Sequence, residues 1–460
     1  MWLAQPFMRA KLQRRAVAEP GYAVAMGERF GHYSTAQADP QANSDASQRF
    51  IWIHAVSLGE TRAAAILIAR LRQLWPGMRL LLTHGTATGR ADGAALLRAG
   101  DVQVWQPWDT PAAVRRFLRH FKPRIGILME TEVWPNLAAQ CKTRGVPLVL
   151  ANARLSEKSF LQSMRLAWLA RPAYRALATV WAQTAADAKR LALLGAPVAG
   201  VFGNLKFDAT PDAGQLALGR AWRKATHRPV ILFASSREGE EAALLQILKK
   251  INPPGLPDSA QPAPENVANE IPSDALWLLV PRHPQRFDEV AALIAEAGLT
   301  LSRRSGWGHG DEFSPPAYEQ AKGGPPCAPL IWLGDSLGEM ALYYGMADVA
   351  LLGGSFEPLG GQNLIEAAAC ACPVVMGPHT FNFAEAAELA QAAGAAVRAP
   401  DLAHAVVQAL ALAADARRLK ATQAAAEAFT AAHRGATGKL VQAIQNVLAS
   451  VAEAEKLPRQ

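Results

Sequence analysis

The chain has 460 residues, half of them hydrophobic, with 47 Lys+Arg against 39 Asp+Glu and a formal charge of +8. That length supports two or three domains with sizeable cores, and the basic balance admits nucleic acid, an anionic membrane surface or a phosphorylated substrate as partner. Only 7% of residues are aromatic and no helix-turn-helix, zinc-finger or single-strand-binding signature occurs, which sets nucleic acid aside.

The chain opens with M-W-L-A-Q-P-F-M-R-A-K-L-Q-R-R, placing Trp2, Leu3, Phe7 and Met8 beside Arg9, Lys11, Arg14 and Arg15. Residues 1–30 read as a basic amphipathic segment that could lie on an anionic bilayer, or equally as a first helix packed on its own domain. They carry no signal-peptide core or cleavage site. Apolar, β-branched runs then predict strands at 50–55, 79–83, 102–105, 125–129, 146–151 and 180–183, with helices such as 60–74 and 111–121 between them. A Gly, Asn, Asp and Pro-bearing stretch at 203–226 predicts the join to a second series. Its strands fall at 230–234, 276–280, 299–302, 330–333, 349–352 and 373–376. Two proline- and glycine-rich stretches, 252–274 and 305–329, read as loop insertions, and 402–448 is alanine-rich and helical. Uninterrupted apolar strands alternating with helices imply parallel sheets covered on both faces. The expected division is 1–30 for the N-terminal segment, 31–208 and 209–400 for two Rossmann-like domains, and 401–460 for C-terminal helices.

In such sheets ligands bind beyond the carboxyl ends of the strands. Polar clusters sit at these ends in both halves: His54 to Glu60, Met129 to Asn136, Asn152 to Ser156, Ser235 to Glu240, Pro281 to Pro284, and Gly377 to Phe383. Each alone reads as helix capping, and Ser235 and Glu238 have capping-box spacing. Together they point to a cleft with function on its rim. The most informative segment is L-L-G-G-S-F-E-P-L-G-G-Q-N-L-I-E at 351–366, where two glycine pairs bracket a loop before a helix start. Backbone N–H groups there could hold a phosphate, with Glu366 accepting from ribose hydroxyls and Asn363 on the same helical face. Arg237, Arg282 or Lys206 would balance phosphate charge. A transfer to a hydroxyl needs a carboxylate base, for which Glu60, Glu130 and Glu132 are candidates, Glu60 also serving as an ordinary first-turn carboxylate.

Four cysteines, the nearest pair being Cys370-Ala-Cys372, suggest a reducing compartment. His54, His84, His283 and His379 lack metal-ligand spacing, so no metal site is expected. No Walker A loop or Gly-x-Ser-x-Gly elbow appears. No run of about 18 uncharged apolar residues predicts a spanning helix.

The segments H-A-V-S-L-G-E-T (54–61), M-E-T-E-V-W-P-N (129–136), A-N-A-R-L-S (151–156), G-N-L-K-F-D (203–208), E-G-E-E (238–241), V-P-R-H-P (280–284), G-D-S-L-G-E-M (334–340), G-G-Q-N-L-I-E-A-A-A (360–369) and M-G-P-H-T-F-N-F (376–383) follow one another in unbroken order. In this combination the chain resembles the 3-deoxy-D-manno-octulosonic acid (Kdo) transferases of lipid A biosynthesis. The resemblance implies a GT-B fold, two Rossmann-like parallel-sheet domains facing a central cleft, with C-terminal helices. It implies inverting transfer of Kdo from CMP-Kdo to tetraacylated lipid A precursor at the cytoplasmic face of the bacterial inner membrane, with no cofactor or metal. By motif, Glu60 would be the general base, and Glu130 and Lys206 would stabilise the transition state. Pro281, Arg282, Leu337, Gly338, Glu339, Asn363, Leu364, Ile365 and Glu366 would contact CMP, with Ser236, Arg237, His379 and Asn382 as further candidates. The chain departs from the family pattern in its short basic N-terminus, in Arg237 where His is expected, and in the two insertions. The rival readings are a GT-B enzyme of another nucleotide sugar, a UDP-sugar transferase or epimerase, and a non-enzymatic GT-B scaffold; the four intact residues Glu60, Glu130, Lys206 and Glu366 argue against the scaffold.

Overall fold

A computed structural model describes residues 5–34, 49–251, 275–307 and 330–456. Insertion 252–274 and most of insertion 305–329 lie outside the described residues. The chain divides into two compact units, Met1–Asp208 with His433–Gln460, and Ala209–Ala432.

The first unit holds β1 Ile51–His54, β2 Leu80–His84, β3 Val102–Trp105, β4 Ile125–Met129, β5 Leu148–Ala153, β6 Thr179–Ala182 and β7 Val198–Val201. All pair in parallel, in the order β3-β2-β1-β4-β5-β6-β7. Alternate residues feed opposite faces, as the period of a strand requires. Phe50, Trp52, Leu81 and Leu128 join one core, while Ile51, Ile53, Leu82 and Ile127 join the other. Helix Leu58–Leu74 follows β1 because Ser57 caps it and Ala64, Leu67, Ile68 and Leu71 form one apolar stripe. Helix Pro111–Phe121 starts the same way, with Thr110 as cap and proline in the first turn. The last helix, Ala436–Lys456, returns to this unit and buries Leu440, Ile444 and Leu448 in the second core.

The second unit holds β8 Val230–Ser236, β9 Leu276–Pro281, β10 Thr300–Arg303, β11 Leu330–Leu333, β12 Val349–Leu352, β13 Val374–Met376 and β14 Ala396–Arg398, again all parallel, in the order β10-β11-β9-β8-β12-β13-β14. Helix Leu402–Ala414 covers this sheet through Leu402, Ala405, Val406 and Ala409. The alanine-rich C-terminal helices therefore do not form a body of their own.

Twelve of these fourteen strands were expected from the sequence; β7 and β14 were not. Both close an edge, and β7 reads V-A-G-V with none of its residues fully buried. An edge strand needs no apolar run, so it leaves little signal. The start of the second insertion is also part of the fold. Ser305 donates its N–H and hydroxyl to Asp335, and Trp307 is buried against Trp222 and Trp332. The N-terminal helix Gln5–Ala18 packs on its own unit through Leu12, which joins Tyr22, Phe30 and Trp105. No helix among the described residues is long and apolar enough to cross a membrane.

The strand order reverses between β1 and β4 in the first sheet and between β8 and β12 in the second, where β11 is also inserted between β9 and β10. Loops diverge there, which makes the carboxyl edge at these points the expected place for ligands. Close approach at the second reversal demands glycine. A Cβ on Gly353, just after β12, would sit 2.2 Å from the carbonyl oxygen of Ser235, near the end of β8. Gly353→Ala should therefore destabilise the protein by about 2 kcal/mol, read as a lower Tm, because backbone rather than a flexible side chain blocks the methyl group; an unchanged Tm would contradict this packing.

Candidate active site

At the reversal of the first sheet, β1 delivers Glu60 and β4 delivers Glu130. Glu60 lies in the first turn of helix Leu58–Leu74, 8% exposed, and its Oε2 accepts from the Val56 N–H at 2.6 Å. Its carboxyl is pushed up to about 8, first by burial and then by the charges of Glu130 and Glu132; the Val56 N–H and Lys206 oppose that shift without cancelling it. Proximity to the positive helix terminus, which would lower it, loses to desolvation.

Glu130 is buried and adopts a left-handed backbone, φ 60°, with its N–H bonded to the Ala151 carbonyl. Lys206 Nζ stands 3.4 Å from its Oε1 as an ion pair. Lys206 sits in a single 3-10 turn, Leu205–Asp208, which the buried Asn152 side chain holds by accepting from the Leu205 N–H at 3.0 Å. Asn152 is itself left-handed, φ 52°. Strain at two adjacent strand ends is thus retained by hydrogen bonds that orient the Glu130–Lys206 pair. Glu132, the third carboxylate considered from sequence, is held below the usual range: burial works to raise it, but His54 and the Trp134 indole N–H at 2.9 Å outweigh that.

At the reversal of the second sheet the arrangement differs from the sequence expectation in several places. The Gly354 N–H does not stand open: it donates to the buried Glu240 carboxylate at 2.8 Å, which also accepts from the Arg237 and Phe356 N–H groups. Ser236 is fully buried and its hydroxyl donates to Glu241, which pairs with Arg286 at 2.8 Å. The E-G-E-E motif thus ties β8 to the 353–356 loop and to the turn after β9. Arg237 pairs with the exposed Glu238. Asn363 is not on a helical face; it caps helix Leu364–Ala369, its side chain accepting from the Ile365 N–H. Leu364 and Ile365 are core residues, so only their backbone can meet a ligand, while Glu366 is half-buried in that first turn.

The remaining candidates gather on the same carboxyl edge. Pro281 ends β9 and the Arg282 N–H donates to the Ser236 carbonyl. Leu337 is 72% exposed, and the Gly338 carbonyl accepts from Gln215. Glu339 is clamped by Arg304 at 2.8 Å and by the Ser336 hydroxyl, which also meets Tyr343. The His379 N–H donates to the Ser355 carbonyl. Asn382 donates to Leu359 O and occupies the space over Gly360, whose φ of 90° and 2.4 Å Cβ clearance exclude a side chain. Among the described residues no group of three His, Cys, Asp or Glu side chains could hold a metal ion.

A family model described as 3-deoxy-D-manno-octulosonic-acid transferase (kdotransferase) matches residues 25–209. A 3-deoxy-D-manno-octulosonic acid transferase of Bordetella pertussis is 48% identical over 404 residues, 86% of this chain and 87% of the relative. The chain belongs to the Kdo transferase family. A Kdo transferase of Haemophilus influenzae is 32% identical, over 83% of this chain and 82% of the relative. Two solved structures share the fold: a glycosyltransferase from Rickettsia africae (TM-score 0.51, 12% identity, 88% of this chain and 99% of that one) and a UDP-GlcNAc 2-epimerase from Neisseria meningitidis (TM-score 0.51, 13% identity, 87% and 100%). The Kdo transferase chain thus has two Rossmann-like parallel-sheet units of the GT-B type.

Sequence reasoning did not assign Asn152 or Asp208 a positioning role. Asp208 Oδ1 accepts from the Gly435 N–H at 2.6 Å, tethering the last helix across 227 residues, and nothing local in the sequence signals so distant a partner.

The raised Glu60 carboxyl has a consequence for stability. Below pH 4.5 it is protonated whether folded or unfolded; from 4.5 to about 8 the unfolded chain loses a proton that the folded chain keeps, so its contribution falls as pH rises through that window. Glu60→Gln, which removes the titration, should be more stable than wild type by roughly 1–3 kcal/mol at pH 8 and by much less at pH 4.5. Thermal melts across that range check this; a difference that does not grow with pH would mean that Glu60 titrates normally.

Proposed function

We propose that this Kdo transferase moves Kdo from CMP-Kdo to a hydroxyl of tetraacylated lipid A precursor (lipid IVA), a step of lipopolysaccharide biosynthesis at the cytoplasmic face of the bacterial inner membrane. The observation that carries the mechanism is the geometry of Glu60: a buried carboxyl that accepts from the Val56 N–H at 2.6 Å and that burial pushes up to about 8. A base poised near the working pH can accept a hydroxyl proton while remaining strong enough to hold it. As Glu60 takes that proton, the acceptor oxygen forms a bond to the anomeric carbon of Kdo and the bond from that carbon to the CMP phosphate oxygen breaks. A single displacement of this kind inverts the centre, and CMP leaves with the electron pair. Lys206, paired with Glu130 at 3.4 Å, supplies positive charge where negative charge develops.

The donor would sit on the second unit, where Arg282 would meet phosphate and Glu366 the ribose, with the backbone at Asn363 and Leu364 completing the contact. Glu339, held by Arg304, would contact the nucleotide together with the backbone of Leu337 and Gly338. Pro281, Ser236, Arg237, His379 and Asn382 shape the same edge. The reading invokes no cofactor and no metal.

Purified protein is incubated with freshly generated CMP-Kdo and lipid IVA dispersed in detergent, and products are read by mass spectrometry, with UDP-sugars as the donor control. Product with the mass of added Kdo is expected from CMP-Kdo alone. The kcat/KM should rise about ten-fold per pH unit below pH 8 and then level, since the base must be ionised. Glu60→Gln should lower kcat by at least about a hundred-fold while CMP affinity stays within about three-fold. Wild-type kcat in Glu60→Gln would remove Glu60 from the role of base, and product from a UDP-sugar would replace the donor.

A further inference from the structure

Helices Glu157–Arg165 and Ala167–Arg175 follow β5 and have opposite faces of contrasting character. Their inner side packs Phe160, Met164, Ala170 and Tyr174 on the core of the first unit. Their outer side exposes Leu161 (53%), Leu166 (53%), Trp168 (76%) and Leu169 (40%). Four of the thirteen large hydrophobic residues exposed among the described residues therefore fall within nine consecutive positions, and Trp168 is the one tryptophan among them. Scattered exposed apolar residues are ordinary, whereas a contiguous group marks a surface with a partner.

Charge identifies that partner. Lys158 and Arg165 stand with Leu161 at i, i+3 and i+7 on the first helix, and Arg175 stands with Trp168 and Pro172 at i, i+4 and i+7 on the second. Lys158, Arg165 and Arg175 are exposed, Arg154 and Arg171 half-exposed, and from 154 to 175 Glu157 is the sole acidic residue. Leucine and tryptophan interleaved with cations suit the boundary of an anionic bilayer, where the indole sits at headgroup depth and the cations meet lipid phosphates. The base of this surface is anchored: the Leu155 N–H donates to Asp187 at 2.8 Å, and the Arg154 N–H donates to the Glu130 carbonyl at 2.9 Å. The segment that leads from β5 into the helix pair is thus hydrogen-bonded to the turn that carries Glu130. By contrast, the N-terminal helix uses Leu12 to pack inward.

We infer that the Leu161–Leu169 surface, ringed by Lys158, Arg165 and Arg175, is where the protein rests on an anionic lipid bilayer, deepening the reading above, on which it rests for a lipid acceptor. Its apolar side chains enter the headgroup boundary and its cations bind lipid phosphates.

Flotation of the full chain with vesicles of phosphatidylglycerol and phosphatidylethanolamine, against phosphatidylcholine alone, tests it. Wild type should float with the anionic vesicles, less so at high salt. Leu166→Ser combined with Trp168→Ser should lower partitioning at least about ten-fold, since two large apolar groups no longer enter the boundary. Arg165→Glu should lower it on anionic vesicles only. Val17→Ser, on the exposed side of the N-terminal helix, should leave it unchanged. All variants should keep wild-type transfer to detergent-dispersed acceptor, which reports that they are folded. Intact flotation in the double variant overturns the inference, as does flotation governed by Val17, or a patch that instead drives self-association seen as a concentration-dependent mass. Vesicle binding without Kdo transfer by wild type would retire the proposed acceptor and leave this surface standing.

Discussion

Within each sheet every strand runs parallel to its neighbours, and the placement of polar side chains follows from that. Parallel strands end on one edge, so side chains far apart in sequence, Glu60 after β1, Glu130 after β4 and Lys206 beyond β7, collect there. The same constraint gathers the 235–240, 281–282 and 353–366 segments in the second unit. Leaving a strand sharply at such an edge takes unusual backbone, and the non-glycine residues Glu130, Asn152 and Ser235 all have positive φ there. That strain persists because neighbouring backbone and side-chain hydrogen bonds over-determine each turn.

Within this frame, buried carboxylates do different work according to what faces them. Glu60 is desolvated, with one N–H donor and two acidic neighbours, and its carboxyl is pushed up to about 8. Glu240 is also raised by burial, but three backbone N–H groups converge on it and make it a structural clasp for the glycine loop. Glu241 is neutralised by Arg286, and Glu132 is drawn below the usual range by His54 and Trp134. Losing one partner of such a pair would strand a charge in the interior. A glutamate at the end of a strand is therefore a catalytic candidate only where compensation is incomplete.

The elements of the fold were largely legible in the chain. Apolar runs located the central strands because these are buried on both faces, and the helices expected at 60–74 and 111–121 form at Leu58–Leu74 and Pro111–Phe121, capped by Ser57 and Thr110. The edge strands β7 and β14 escaped because half-exposed pairing leaves no hydrophobic pattern. The glycine loop at 353–361 was legible as a close approach of backbone, but its Gly354 N–H was read as open to phosphate when a carboxylate 114 residues earlier already occupies it.

By itself, the sequence determined the two α/β series, the family through its ordered motifs, and the set of polar residues at the strand ends, since these rest on local periodicity, capping and residue identity. Only the tertiary structure decided which of those residues remain chemically available: Glu60 desolvated with its carboxyl raised, Ser236 and Glu240 consumed by internal bonds, Asn152 bracing the turn of Lys206, and Trp168 turned to solvent. The reason is that solvation, hydrogen-bond partnership and charge coupling are set by neighbours tens to hundreds of residues away, and no local pattern encodes them.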